Sequence, residues 1–353
     1  MAPYIFLAAA GLTGAALPQR PRYRYGFLLT TGVLCWLLAS LRYVTGFDYR
    51  FYETIFQAIS SAGLNVPAEL QDIEPGFLML NLLAASLGFG YRGFLFLFHF
   101  LFTVLVFAWI GRYSPAPWLS VYLFVTLQYY ALSMNFLRQA LAAAVILWIY
   151  PFLKSRRLLP CCGIILLSAC FHRTALIMLP LCFLLRLRIS RRHYGLAALA
   201  AAGAYFLMDP LLQIAVTLFP KYQHYFTEKY WQGNSFLYVL LPLGCLLFVL
   251  PSLRREVHSP SDSSILVNSV FYMFLLQVFI TRHFILERLS IYTAFFCLLA
   301  LPEAALCFDG RNLSKVRTGL LIAGGLLYLF FAASHGFHGV YPYHGVWSRA
   351  LTP

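Results

Sequence analysis

The stretch PWLSVYLFVTLQYYALSMNFLRQALAAAVILWIY, residues 117–150, decides the fold class. It holds a single charged residue, Arg138, in the length that two membrane-crossing helices of about 20 residues each would need. Its polar residues gather where the two apolar runs, 117–134 and 136–153, meet. Asn135, Arg138 and Gln139 are spaced i, i+3 and i+4, so on a continuous helix they share one face at the mouth of a span.

The rest of the chain has the same character. Of 353 residues, 61% are apolar and 11% charged, with a mean hydropathy of +0.74. A soluble domain carries about 25% charged residues, and this chain lacks the polar skin that would dissolve it. A soluble enzyme is therefore excluded. Disorder, collagen and coiled coil go with it, since low hydrophobicity or a strict repeat would show. The eight cysteines lie nearly all inside apolar runs, and Cys161-Cys162 has the spacing of neither a zinc site nor a disulfide framework. The sequence predicts an all-α, polytopic integral membrane protein with one domain over 1–353.

Apolar runs centre on 2–18, 25–41, 93–111, 117–134, 136–153, 158–171, 174–187, 194–209, 236–253, 264–281, 289–308 and 318–334. The first lacks a positively charged leader, with no charge before Arg20, and reads as a retained span. One further run, Phe77 to Phe89, is too short to span and suits a re-entrant or interfacial helix. With that run not crossing, twelve spans put both termini outside. The inner face then holds 16 of the 26 Lys and Arg against four acids, Arg20, Arg22 and Arg24 included. A crossing would turn that cluster outward, against the positive-inside rule. The net charge of +14 thus follows from topology, and no nucleic-acid partner is needed.

Two outer segments remain, 43–92 and 210–235. The first carries Phe51, Tyr52, Ile55, Phe56 and Ile59 at helical spacing, and the second Tyr222, Tyr225, Tyr230 and Trp231. Both read as amphipathic helices in the headgroup zone, where plain anchoring is the competing reading. Five arginines sit at outer helix ends: Arg42, Arg138, Arg173, Arg282 and Arg288. Asp48, Glu74 and His172 accompany them. An ionisable group at membrane depth costs about 2.5–3.5 kcal/mol, so a polar cavity open to the outside is the cheapest place for the set. Snorkelling and helix capping are the bland alternative for each alone. Arginine is always charged and offers a bidentate fork, which matches a phosphate-bearing substrate such as a lipid pyrophosphate. No Asp-x-Asp, His-x-x-x-His or Gly-rich phosphate loop is present, so neither a metal nor another cofactor is expected.

In order and placement, the motifs Arg42…Gly46-Phe47-Asp48…Tyr52, Glu74-Pro75-Gly76, Asn135…Arg138-Gln139, Phe171-His172-Arg173-Thr174-Ala175 and Arg288…Tyr292, with Pro342-Tyr343 near the end, resemble the EpsG family of Wzy-type polysaccharide polymerases. The resemblance runs from about residue 20 to 347. Thr174 stands where that family more often has serine, and Arg173 lies at a variable position.

The resemblance implies a membrane glycosyltransferase-like fold in a bacterial inner membrane, with its site facing the periplasm. It implies transfer of a growing glycan from undecaprenyl pyrophosphate to the non-reducing-end hydroxyl of an incoming lipid-linked repeat of an exopolysaccharide, capsule or O-antigen. The partners would be that lipid-linked oligosaccharide, the bilayer and a regulator of chain length. The attacking hydroxyl needs a base, for which Glu74 leads, then Asp48, then His172. The five arginines compete for the pyrophosphate, with Asn135, Gln139 and Tyr52 as further substrate contacts. A lipid-linked glycan transporter and an O-antigen ligase-like transferase are the rival readings. Transporters hold their charges near mid-membrane and often show internal repeats, which this sequence does not.

Overall fold

In the computed structural model the described residues are 1–18, 20–63, 70, 72–187, 191–218, 237–255, 263–283, 287–307 and 311–351. Among them the chain is helical, with no strand beyond an isolated antiparallel bridge between Arg42 and Gly345. The helices are α1 (Ala2–Thr13), α2 (Pro21–Ser40), α3 (Tyr49–Ala62), α4 (Pro75–Ser86), α5 (Tyr91–Tyr113), α6 (Pro117–Thr126), α7 (Tyr129–Asn135), α8 (Leu137–Ile146), α9 (Tyr150–Lys154), α10 (Leu158–Ala169), α11 (Met178–Leu184), α12 (Arg191–Phe206), α13 (Met208–Leu218), α14 (Leu237–Val249), α15 (Ser263–Ile280), α16 (Glu287–Ala294), α17 (Cys297–Leu306) and α18 (Arg311–Ser334). Prolines at the first turn open α2, α4 and α6, where a missing N–H costs nothing and the fixed φ suits a helix.

Three helical stretches among the described residues are long and apolar enough to cross a membrane: Tyr91–Tyr113, Leu137–Lys154 and Asn312–Ser334. The pair α16 and α17, bent by 47°, makes a fourth if it is one span. Shorter apolar helices account for the runs at 2–18, 158–171, 174–187, 236–253 and 264–281 and for part of 117–134, while 25–41 and 194–209 fall in α2 and α12, which are neither among the spans nor among these.

The quoted stretch sits at the centre. Residues of α6, α7 and α8 are almost all buried, packed by α1, α5, α10, α16 and α18. Two departures from the sequence reading fall here. The run 117–134 is two helices, parted at Gln128, whose φ of 70° is left-handed. Asn135 and Arg138 do not share one continuous helix, because Phe136 (φ −97°, ψ 62°) breaks it. Broken backbone at membrane depth survives only where protein shields it, and this hairpin is wrapped on every side.

Helix α3 buries Tyr49, Tyr52, Ile55, Phe56 and Ile59 against α4 and α5. Phe51, expected on that face, is exposed, and Tyr49 takes its place. Helix α4 is the predicted short run, a 12-residue element of its own. In the outer segment 210–235, residues 219–236 lie outside the described residues, and the aromatic set Tyr222, Tyr225, Tyr230 and Trp231 with them. The C-terminal segment lies across the loop between α2 and α3. The Gly46 N–H donates to Gly339 O at 2.9 Å, Tyr43 N–H to His344 O at 2.8 Å and Val346 N–H to Leu41 O at 2.9 Å. Tyr4 OH reaches Val340 O at 3.0 Å.

Candidate functional site

Two glycines set the site. The Gly76 N–H donates to Cys170 O at 2.7 Å, and a Cβ on Gly76 would stand 2.8 Å from that oxygen. Only glycine lets the start of α4 approach the turn after α10 so closely. This contact delivers Glu74, the residue before Pro75, to His172. Gly46 (φ +99°) packs 3.0 Å from Met134 O by the same measure and brings the Asp48 loop onto α7. There the Asp48 N–H donates to Asn135 Oδ1 at 3.0 Å.

Glu74 is the hub. Its Oε2 accepts from Arg138 Nη1 at 2.7 Å. Its Oε1 accepts from His172 Nδ1 at 3.0 Å and from the Arg173 N–H at 3.2 Å. Burial works to raise the Glu74 carboxyl, but the bond from His172 and the charge of Arg138 bring it down to about 2. Burial in turn lowers the His172 imidazole, against the pull of Glu74, which leaves it neutral at pH 7. A neutral ring that donates from Nδ1 keeps its lone pair on Nε2. That Nε2 is buried and has no partner, and neither has Arg138 Nε.

Around the hub, Arg138 lies 6.0 Å from the centre of the Phe77 ring, and Phe77 packs edge-on to Tyr52 at 5.7 Å. Gln139 Nε2 donates to the Arg288 carbonyl, and Thr174 Oγ1 bonds Tyr292 OH at 2.8 Å. Arg288 acts electrostatically on both Asp48 and His172, and no hydrogen bond or ion pair of its guanidinium is found among the described residues. Burial pushes the Asp48 carboxyl above its usual range, against the pull of Arg288 and Arg138. Its carboxylate likewise has no bonded partner among them. The cluster thus has two arginines, a neutral imidazole and two carboxylates, of which only Glu74 is saturated, and His172 Nε2 and Arg138 Nε are unspent. Such a set accepts an anion and a proton.

The structure brings together Glu74, Asp48, His172, Arg138, Arg288, Asn135, Gln139 and Tyr52. It takes three other arginines elsewhere. Arg42 is fully buried between α2 and α5, its Nη1 against His99 Nε2 and 3.1 Å from Ala39 O. Arg282 pairs with Asp209, which His283 also reaches at 3.0 Å. The Arg173 guanidinium is half-exposed, 4.0 Å from Asp72, so only its backbone joins the hub. Sequence reasoning left Thr174, Tyr292 and Glu287 out of the site. The i, i+4 spacing of Arg288 and Tyr292 is the signal that could have found the second of these.

The sequence profile of the EpsG family matches residues 25–344. Among curated proteins, the chain is similar to the EPS I polysaccharide export inner membrane protein EpsF of Ralstonia nicotianae, with 26% identity over 271 residues. The match covers 70% of this chain and 62% of that protein, so the chain spans about 62% of the relative's length. No solved structure matches.

Proposed function

Since the chain belongs to the EpsG family of Wzy-type polymerases, we propose that it joins lipid-linked oligosaccharide repeats at the outer face of a bacterial inner membrane, with the Glu74 hub as its reaction centre. The carrying observation is that one carboxylate holds both Arg138 and His172, while His172 Nε2 and Arg138 Nε stay buried and unpartnered among the described residues. Buried donors and acceptors left open cost about 1–3 kcal/mol each, and a bound substrate removes that cost.

In this reading the hydroxyl at the non-reducing end of the incoming repeat gives its proton to His172 Nε2. Its oxygen forms the new bond to the anomeric carbon of the growing glycan. The bond from that carbon to the undecaprenyl pyrophosphate oxygen breaks, and the pyrophosphate leaves with the electron pair. Arg288 and Arg138 stabilise the departing charge. Glu74 fixes the imidazole tautomer and the arginine fork. A carboxylate held near 2 is a weak base, which favours His172 for the proton and leaves Asp48 as the next candidate. Twelve crossings with the 77–89 run not crossing complete the reading, along with a partner that sets chain length.

A second reading is export of a lipid-linked glycan, in line with the name of the relative, which describes that protein as a polysaccharide export protein. Deleting the gene and resolving the surface polysaccharide by size separates the two. Single-repeat product marks a polymerase, loss of all product a transporter, and polymer stranded on lipid a ligase. Cytoplasm-only labelling of a cysteine placed at Gly90 would overturn the topology.

A further inference from the structure

The geometry points to a sugar-binding subsite beside the arginine cluster, in a cavity of about 300 Å³ between α7, α14, α15, α16 and the turn after α18, with Glu287 as its hydroxyl acceptor. It rests on the polymerase reading above and names where the terminal sugar of the incoming repeat sits. The volume is at the lower end of ligand pockets, about 300–1,000 Å³.

Helix α16 has two working faces. Arg288 and Tyr292 belong to the Glu74 side, where Tyr292 bonds Thr174. Glu287, Ser290, Ile291 and Ala294 line the cavity, at the i, i+3, i+4 and i+7 spacing of one helix face. Asn135 belongs to both sides, since it lines the cavity and holds the Asp48 loop. A sugar in the cavity is therefore next to the groups that would activate its hydroxyl.

The lining suits a hydroxylated ring. No hydrogen bond or ion pair of the Glu287 carboxylate is found among the described residues, although it opens onto a cavity inside the bundle. Ser290 Oγ donates to Gln277 Oε1 at 2.7 Å, which leaves the Gln277 amide nitrogen to donate elsewhere. Asn135 has its amide nitrogen left in the same way, because its oxygen takes the Asp48 N–H. Sugar hydroxyls both donate and accept, so they use the carboxylate and the amides together. An amine or a bare cation would use only the carboxylate. Phe337 and Tyr238 stack at 5.2 Å and 11° in the same wall, an apolar platform for the C–H face of a sugar ring. Two lining residues other than glycine, Gln128 (φ 70°) and His338 (φ 60°), hold left-handed backbone, the kind of strain that clusters at ligand clamps.

The test uses the full chain in phospholipid nanodiscs. The probe is the oligosaccharide repeat released from its lipid by mild acid, and binding is read by calorimetry. Wild type should bind it. Glu287→Leu should bind roughly 10- to 100-fold more weakly, as expected for the loss of a buried hydrogen-bond partner. Binding of undecaprenyl pyrophosphate should stay unchanged in that variant. Phe337→Ala, which touches no buried charge, should also weaken the sugar and carries the test if Glu287→Leu does not fold. Equal sugar affinity in wild type and the folded variants, or no binding by wild type, overturns the subsite. Elongation of lipid-linked repeats in the same preparations judges the polymerase reading separately: elongation without cavity-dependent binding removes only the subsite, and cavity-dependent binding without elongation removes only the polymerase.

Discussion

Arg42 and Arg138 are both arginines at the ends of buried helices, each with a histidine close by, yet their surroundings differ in one respect. Arg138 faces a carboxylate, and Arg42 does not. Arg138 shares Glu74 with His172, and Arg288 acts on His172 from beside them. Arg42 meets the neutral side of His99, the carbonyl of Ala39 and the face of Tyr49 at 5.7 Å, with its Nε and Nη2 unpartnered. The pairing at Glu74 offsets one charge and hydrogen-bonds Arg138 and His172 into a fixed geometry, with Asp48 and Arg288 beside them. The setting of Arg42 is a packing solution, in which tyrosine rings and backbone carbonyls enclose a charge that no carboxylate balances. What an arginine at a helix end can offer is thus set by what holds it, and residue type alone does not reveal that.

The largest expected break between the two regions is in their histidines. His172→Asn keeps a donor toward Glu74 but cannot take a proton, so elongation should fall by about 10²–10⁴ with thermal stability nearly unchanged. His99→Asn should leave the rate per folded molecule alone. Full-rate elongation by His172→Asn would pass the base role to Asp48, whose Asp48→Asn variant should then be the dead one.

Next come the arginines themselves. Arg138→Lys keeps charge and loses the fork, so it should lose far more activity than stability. Arg42→Met should do the reverse. It strips His99 and Ala39 of a donor, costs about 1–3 kcal/mol in denaturant titrations, and spares the rate of the protein that folds. A rate loss in Arg42→Met at full stability would place Arg42 with the substrate after all.

Acid should separate them more gently. The Glu74 carboxyl is held at about 2 in the fold against 4.5 when unconstrained, so its stabilisation is complete above 4.5. It is lost as pH falls from there through about 2, a total of about 3 kcal/mol. Wild type should lose stability across that window, and Glu74→Gln should be flatter there. Equal acid sensitivity in both would show that the hub bonds contribute little. The smallest effect is expected for Arg50→Ala. Its bond to Glu53 at 2.7 Å lies on the exposed face of α3, and such pairs are worth about 0–1 kcal/mol.

Much of this was legible in the sequence. The membrane class followed from composition, and the hub residues Glu74, Asn135, Arg138 and His172 from their position at the ends of apolar runs. Asn135, Arg138 and Gln139 were found by a helical spacing that the chain does not keep, since Phe136 interrupts it. The local polar density pointed correctly even though the geometry did not. Arg42 and Arg282 could not be told from Arg138 and Arg288, because their partners His99 and Asp209 lie 57 and 73 residues away in sequence. Glu287 was hidden by its neighbour. One residue along a helix is a turn of about 100°, enough to send adjacent charges to different compartments.

The clasp of residues 338–346 over the loop between α2 and α3 has a consequence for how the molecule is made. A nascent chain can insert its helices one after another while the ribosome is still at work. The bonds from Gly46 to Gly339 and from Tyr43 to His344, and the Tyr341 hydroxyl on Gln128 at 2.7 Å, cannot form until some 300 residues after residue 46 have been synthesised. Contacts of such long sequence separation form late and slowly. The loop that carries Asp48 therefore waits for the tail, and an unfinished or tail-clipped chain would sit in the bilayer with its helices in place and the Asp48 side of the Glu74 cluster unassembled.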